Sequence, residues 1–322
     1  MKLQFLGTSA GTPTKTRNVT ALALGYAQRS NWYLIDCGEA TQHQLQKSCF
    51  SLSRLTHIFI THLHGDHIFG LPGLLTSRSM TGSPKNPITI YGPQGIKEFI
   101  EATLRLSASH ITYPLEIREF TKAGMLYENK YETVMAVRLS HDVPSFAYVF
   151  KEAVRPGIFD IDRARAAGVP SGPLLGQLHM GKSITLEDGT ELNGADFIGS
   201  PRAGRTVIIG GDNDEPSLLA PHLKEADLFV HEATLTIPVK ENLSFKSRHS
   251  TAASVAITAD KAEVKNLILT HISPRYGLEE TQKGLSISDI KVEAGRFYKG
   301  PLFIAHDLDI YHLDRDGGLT QT

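Results

Sequence analysis

Residues 55–70 read LTHIFITHLHGDHIFG. The first half is an apolar run of the kind that forms a buried strand. The second half packs His62, His64, Asp66 and His67 into six positions. Imidazole and carboxylate groups are rarely buried without partners. Four of them cannot all reach solvent if the flanking segments are core, and a divalent cation would satisfy them together. His and Asp suit Zn²⁺, with Mn²⁺ or Fe²⁺ as alternatives. His62 and His64, two apart in an extended turn, can point the same way, leaving Asp66 and His67 for a second position. A loop rich in His by chance is the competing reading, and the tight spacing disfavours it.

The chain of 322 residues is long enough for one large α/β domain or two ordinary ones. A net charge of -1 supplies no global basic field for nucleic acid. Attraction of an acidic polymer would fall to a local patch or a metal. Two cysteines, Cys37 and Cys49, argue against a disulfide framework and for a reducing compartment. The opening MKLQFLGTSAGTP reads as a first strand, not a signal peptide. No run of about 18 apolar residues predicts a membrane span. The expectation is a soluble cytoplasmic protein.

Other short apolar runs end as abruptly: KLQFLG, WYLIDCG, ETVMAVRLSH, TVIIGGD, DLFVHEA and NLILTH. Helical patterns fall at residues 39–48, 95–107, 251–261 and 287–299. A hairpin-rich opening followed by βα alternation predicts a layered α/β fold. Five of the predicted strands each deliver a His or Asp at their C-terminal end: His62, His141, Asp212, His231 with Glu232, and His271. Strand ends are where α/β sites assemble from distant positions. One such His is more often a capped core residue; five together are not. The candidate ligands are His62, His64, Asp66, His67, His141, Asp212 and His271. Seven exceed what one four-coordinate zinc uses, so two metals with a bridging carboxylate are expected. Paired cations suit hydrolysis of a phosphodiester or an acyl bond.

Residues from about 152 to 196 lose the core-forming rhythm and carry several Gly and Pro. This predicts one domain over residues 1–322 with an inserted arm at about 152–196. Between Lys151 and Lys182 five basic residues face three acidic ones, a local charge of +2.

HLHGDH resembles the HxHxDH signature of the metallo-β-lactamase superfamily, with His141, Asp212 and His271 following in the expected order. More specifically, the chain resembles the short form of the ribonuclease Z family. PTKTRN (residues 13–18), HEAT (231–234), RHST (248–251) and an arm containing SGPLLGQLHMGKSITLEDG carry that likeness. It extends from FLGTSAGTPTKTRN to FIAHDLDIY, nearly the whole chain.

The resemblance implies a four-layer αββα sandwich with two zinc ions per subunit, Mn²⁺ or another divalent metal being possible. One is held by His62, His64 and His141 and the other by Asp66, His67 and His271, with Asp212 bridging. It implies Asp66 as proton acceptor for the attacking water. The cations already lower that water's pKa, so an orienting role is the alternative. His249 would donate a proton to the leaving 3′ oxygen, and Glu232 would hold it protonated. His231 reads as a core histidine. Lys15 and Arg17 are candidate phosphate contacts, with Arg17 alternatively bracing its loop. Gly172 and Pro173 are expected to shape a turn at the tip of a tRNA-gripping arm. The implied protein is a homodimer, the arm of one subunit holding precursor tRNA for the other. The implied reaction removes the 3′ trailer of precursor tRNA, leaving a 3′-hydroxyl on the tRNA and a 5′-phosphate on the trailer. Two other classes compete: a hydrolase of small phosphodiesters or esters, and a binding module with a dead metal site. The arm argues against the first and the complete ligand set against the second.

Overall fold

In the computed structural model, which describes residues 1–27, 29–81, 86–277 and 284–322, the apolar runs become strands of two large sheets. The first nine strands are β1 (Lys2–Gly7), β2 (Ala21–Gly25), β3 (Trp32–Ile35), β4 (Leu55–Phe59), β5 (Ile88–Pro93), β6 (Leu115–Phe120), β7 (Gly124–Glu128), β8 (Glu132–Arg138) and β9 (Phe146–Glu152). A small hairpin follows, β10 (Ile184–Thr185) and β11 (Glu191–Leu192). The rest are β12 (Thr206–Ile209), β13 (Leu228–Glu232), β14 (Leu267–Thr270), β15 (Leu302–Ile304), β16 (Ile310–Leu313) and β17 (Leu319–Gln321). One sheet runs β17-β16-β1-β2-β3-β4-β5-β6, the other β15-β14-β13-β12-β9-β8-β7. β1 to β3 pair antiparallel, and pairing from β3 to β6 and from β12 to β15 is parallel.

Strand alternation builds the layers. Tyr33, Ile35 and Phe59 of the first sheet and Phe146, Tyr148, Val207 and Ile209 of the second share one core between the sheets. Their neighbours Leu34 and Ile58 turn outward onto Leu45, Leu71, Leu75 and Ile96 of the flanking helices. Ile208 and Phe229 turn outward onto Leu219, Val255, Ala256 and Ile290. Both faces of both sheets are apolar, so each must be covered, and the result is the expected four-layer αββα sandwich.

The chain divides into two compact units. The sandwich unit comprises Met1–Asn129, Thr133–Lys151 and Arg205–Thr322; the other comprises Lys130–Glu132 and Glu152–Gly204. The second unit is more regular than its sequence suggested. It has helices Ile161–Ala166 and Pro173–His179, the β10–β11 hairpin and a core of Ala164, Val169, Leu178, Ile184 and Phe197. Five buried residues spread over so many elements leave no periodic signal. Asp160 caps the first helix by accepting from Arg163 N at 2.9 Å. Gly172, at φ +146°, precedes the second helix, and Pro173 opens it. Among the described residues no helix is long and apolar enough to cross a membrane.

Candidate metal centre

The carboxyl ends of β4, β12 and β14 and the segment after β8 converge in the sandwich unit. His62 and His64 lie in the loop after β4, and the short helix Gly65–Ile68 carries Asp66 and His67. That loop is clamped against residues 36–38: Cys37 N donates to His67 O at 2.8 Å, and Gly70 N to Cys37 O at 2.9 Å. A Cβ on Gly38 would lie 2.3 Å from Asp66 O, so this approach demands glycine.

His62, His64, His141 and Asp212 bring one ligand atom each to within 4.8 Å of one another, and so do Asp66, His67 and His271. Asp212 offers one oxygen to each group. Its Oδ2 lies 3.6 Å from His62 Nε2 and 3.8 Å from His141 Nε2. Its Oδ1 lies 3.5 Å from His67 Nε2 and 3.4 Å from His271 Nε2. Asp66 Oδ2, 3.4 Å from His271 Nε2, accepts from Gly11 N at 2.8 Å.

The surrounding hydrogen bonds fix which ring nitrogens face inward. Asp36 Oδ2 accepts from Thr61 Oγ1 at 2.8 Å and from His67 Nδ1 at 2.7 Å. With its proton on Asp36, Thr61 Oγ1 accepts from His62 Nδ1 at 3.0 Å. Thr234 Oγ1 donates to Glu232 Oε2 at 2.5 Å and therefore accepts from His271 Nδ1 at 2.9 Å. His141 Nδ1 donates to Arg248 O at 3.0 Å. Each of these imidazoles thus turns Nε2 into the cluster. His64 Nδ1 meets His62 Nε2 at 3.1 Å and His141 Nε2 at 3.2 Å.

These residues fit divalent cations. His67 Nε2 is buried with no hydrogen-bond partner. Ring nitrogens of several imidazoles converge there with the Asp66 and Asp212 carboxylates, and His and carboxylate groups are the ligands that borderline cations take. Burial opposes charge on His67, but Asp212, Asp36 and Asp66 outweigh it and hold its pKa well up. Burial and the neighbouring imidazoles push His62 well down. Burial opposes ionisation of Asp212, yet His271, His67 and His62 hold its carboxyl well below the usual range.

His249 and Glu232 sit beside this cluster. Glu232 Oε1 accepts from His249 Nδ1 at 3.0 Å and from Asn213 N at 3.0 Å. Burial works against the His249 imidazolium, but Glu232 and its hydrogen bond, with Asp212 and Asp66 beyond, push the pKa up to about 9. Against its own burial, Glu232 is drawn down to about 2, chiefly by His249. His231 is fully buried, donating from Nδ1 to Glu232 O at 2.7 Å and accepting from Asn213 Nδ2 at 3.1 Å.

Lys15 is exposed. Arg17 is not placed to meet a phosphate: it is buried and donates from Nη1 to Thr8 Oγ1 at 2.6 Å and Ala305 O at 2.7 Å. Of its two readings the geometry favours the brace, because the guanidinium points beneath the loop. Gly172 and Pro173 belong to the second unit and are exposed. Asp36, Thr61 and Thr234 were not singled out from sequence. Asp36 follows β3 as the other site residues follow their strands, which was the available signal. Asp36 and His271 both adopt positive φ, 58° and 54°, a strained state for non-glycine residues that marks functional positions.

A family profile described as "Anti-Pycsar protein Apyc1" matches residues 1–143. Ribonuclease Z of Brevibacillus brevis is 44% identical over 317 residues, covering 98% of each chain. This chain belongs to the ribonuclease Z family. Ribonuclease BN of Escherichia coli is 48% identical over 278 residues, 86% of this chain and 90% of that one. Human tRNase Z, short form, superposes with a TM-score of 0.69 at 28% identity, covering 98% of this chain and 100% of that one. The metallo-β-lactamase fold protein YhfI of Bacillus subtilis, at 17% identity and a TM-score of 0.64 over 96% and 98% of the two chains, shares the fold. The expected ribonuclease Z family and fold are thereby shown, and with them an endoribonuclease.

Proposed function

We propose that this chain removes the 3′ trailer of precursor tRNA by endonucleolytic hydrolysis, leaving a 3′-hydroxyl on the tRNA and a 5′-phosphate on the trailer. The observation that carries the reading is a pair of ligand groups sharing Asp212, set beside a His249–Glu232 ion pair. His62, His64 and His141 would hold one divalent cation and Asp66, His67 and His271 the other, with Asp212 between them. The donor set suits zinc. When bound, such cations supply Lewis acidity to a phosphodiester and lower the pKa of water.

The remaining work falls to the chain's own groups. Asp66 Oδ2, steadied by Gly11 N–H, orients the attacking water and takes up its proton. His249 is held protonated by Glu232 and donates to the departing 3′ oxygen. Its Nδ1 faces Glu232, so Nε2 is the donating nitrogen. The unit containing Glu152–Gly204 grips tRNA by shape and a few phosphate contacts, Lys15 adding another near the scissile bond. Gly172 and Pro173 shape the exposed entrance to its second helix. A homodimer in the cytoplasm completes the reading, carried over from the family resemblance.

A unit with its own core contributes no ligand to the metal centre, and a hydrolase of small diesters or esters has no use for it. The test replaces Glu152–Gly204 by a short Gly/Ser linker and measures kcat/KM on precursor tRNA and on bis-p-nitrophenyl phosphate. The reading expects the small diester to be hydrolysed as before and tRNA cleavage to collapse through KM. Unchanged cleavage of tRNA would remove the arm from the account. A parent enzyme active on the small diester alone would establish the small-molecule reading instead.

A further inference from the structure

An open cavity of about 570 Å³ adjoins His249 in the sandwich unit. Gly11, Thr12, Phe245, His249, Ser273 and Arg275 are among its lining residues, whereas His62, His64 and His141 are not. The cavity therefore borders the cluster on the side of the proton donor. Phe245 is 60% exposed there, in the segment joining helices Ile237–Glu241 and Ala252–Lys261. The segment is pinned at Arg248, His249 and Ser250, shortly after Phe245 in the chain. Lys240 Nζ donates to His249 O at 2.6 Å, His141 Nδ1 to Arg248 O at 3.0 Å, and Ser250 Oγ to Asn213 O at 2.5 Å. Arg275, exposed, donates to Ser273 Oγ at 3.2 Å. The cavity thus combines an aromatic face, a cation and a proton donor, and its volume suits a nucleoside.

Hydrolysis forms a bond from phosphorus to the water oxygen and breaks the bond from phosphorus to the 3′ oxygen, which His249 protonates. The nucleoside bearing that 3′ oxygen must lie on the His249 side. We infer that Phe245 is the stacking platform for the base of that nucleotide, the last one retained by the mature tRNA. The inference rests on the proposed tRNA 3′ cleavage. An aromatic ring stacks on any base, so the platform tolerates every identity at this position and contributes binding without selecting sequence.

The test is a cycle of enzyme and substrate changes. Precursor tRNA with a normal or an abasic last nucleotide is cleaved by the parent, by Phe245→Ala and by Phe245→Trp, with melting temperatures measured in parallel. Removing the base should cost the parent about 5- to 150-fold in kcat/KM, the usual range for one stacked base. Phe245→Ala should lose a similar factor on the normal substrate and nothing further on the abasic one. Phe245→Trp should retain the parent's preference for a base. Equal losses for Phe245→Ala on both substrates, or a parent indifferent to the base, would overturn the inference while leaving the proposed reaction intact. A metal-loaded parent that cleaves neither substrate would overturn both.

Discussion

Replacing Glu232 by Gln keeps the shape of the side chain and removes the charge that faces His249. Glu232 Oε1 lies 3.0 Å from His249 Nδ1, and the pair displaces both groups: His249 up to about 9, Glu232 down to about 2. The two shifts run in opposite directions, as attraction between the two groups requires. A raised pKa keeps His249 in its donating form as pH rises, up to the raised value. Without Glu232 the imidazole returns toward its ordinary value of about 6.5. At pH 8 a group with a pKa of about 9 is about 90% protonated and one at about 6.5 is about 3% protonated, a ratio of about 30. At pH 6 both are mostly protonated and the ratio is near one. Cations at Asp66 and Asp212 cancel part of those carboxylates' pull on His249 and draw the pH 8 figure down. The Gln amide also meets a backbone N–H of Asn213 or Thr234, a loss that does not vary with pH. Single-turnover cleavage of precursor tRNA at saturating metal, from pH 6 to pH 9, separates the two effects. The parent-to-variant rate ratio should climb steeply from pH 6 to pH 8. A ratio constant across this range would refute the ion pair as the source of the donating proton.

Further outcomes follow from the same geometry. Asp212→Ala should abolish metal binding in both groups, whereas His141→Ala should weaken mainly one; elemental analysis distinguishes the two, and a metal content of two in Asp212→Ala would exclude the bridge. Asp36→Asn removes the carboxylate that orients His67 and, through Thr61, His62, so metal affinity should fall about 10- to 100-fold. Equilibrium dialysis measures it, and an unchanged affinity would show the rings to be held by packing alone. Loading the metal should release the proton that the carboxylates hold on His67, so affinity should weaken as pH falls; calorimetry in buffers of different ionisation enthalpy would show no proton release if this is wrong. His249→Ala should keep its metal and lose about 10²–10⁴-fold in turnover on tRNA, but far less on bis-p-nitrophenyl phosphate, whose leaving group needs no proton. Equal losses on the two substrates would make His249 structural.

What could be read from sequence was what local pattern encodes. The strands that end in His or Asp were legible because an apolar run stopping at a ligand is a sharp local signal. β2 was not, because ALALG is five residues without a β-branched side chain. The helix Leu71–Met80 was hidden by Pro72 and Gly73 in its first turn, where proline is tolerated. Asp36, Thr61 and Thr234 went unnoticed for another reason. Asp36 and Thr234 touch the rings of His67 and His271 from remote chain positions, and Thr61, although next to His62, is oriented by the distant Asp36, so only the folded chain brings them together. Arg17 looked like a surface cation because its loop is polar, and its burial against Thr8 and Ala305 depends on a segment nearly 300 residues away.

The central claim is the position and chemistry of one cut. Metal-loaded protein incubated with a precursor tRNA carrying a defined trailer, followed by end mapping of both products, tests it directly. The account predicts a single break after the last nucleotide of the mature acceptor stem, a 3′-hydroxyl on the tRNA and a 5′-phosphate on the trailer. A 3′-phosphate or cyclic phosphate on the tRNA would contradict the roles given to Asp66 and His249, and no cleavage of any precursor would contradict the function itself.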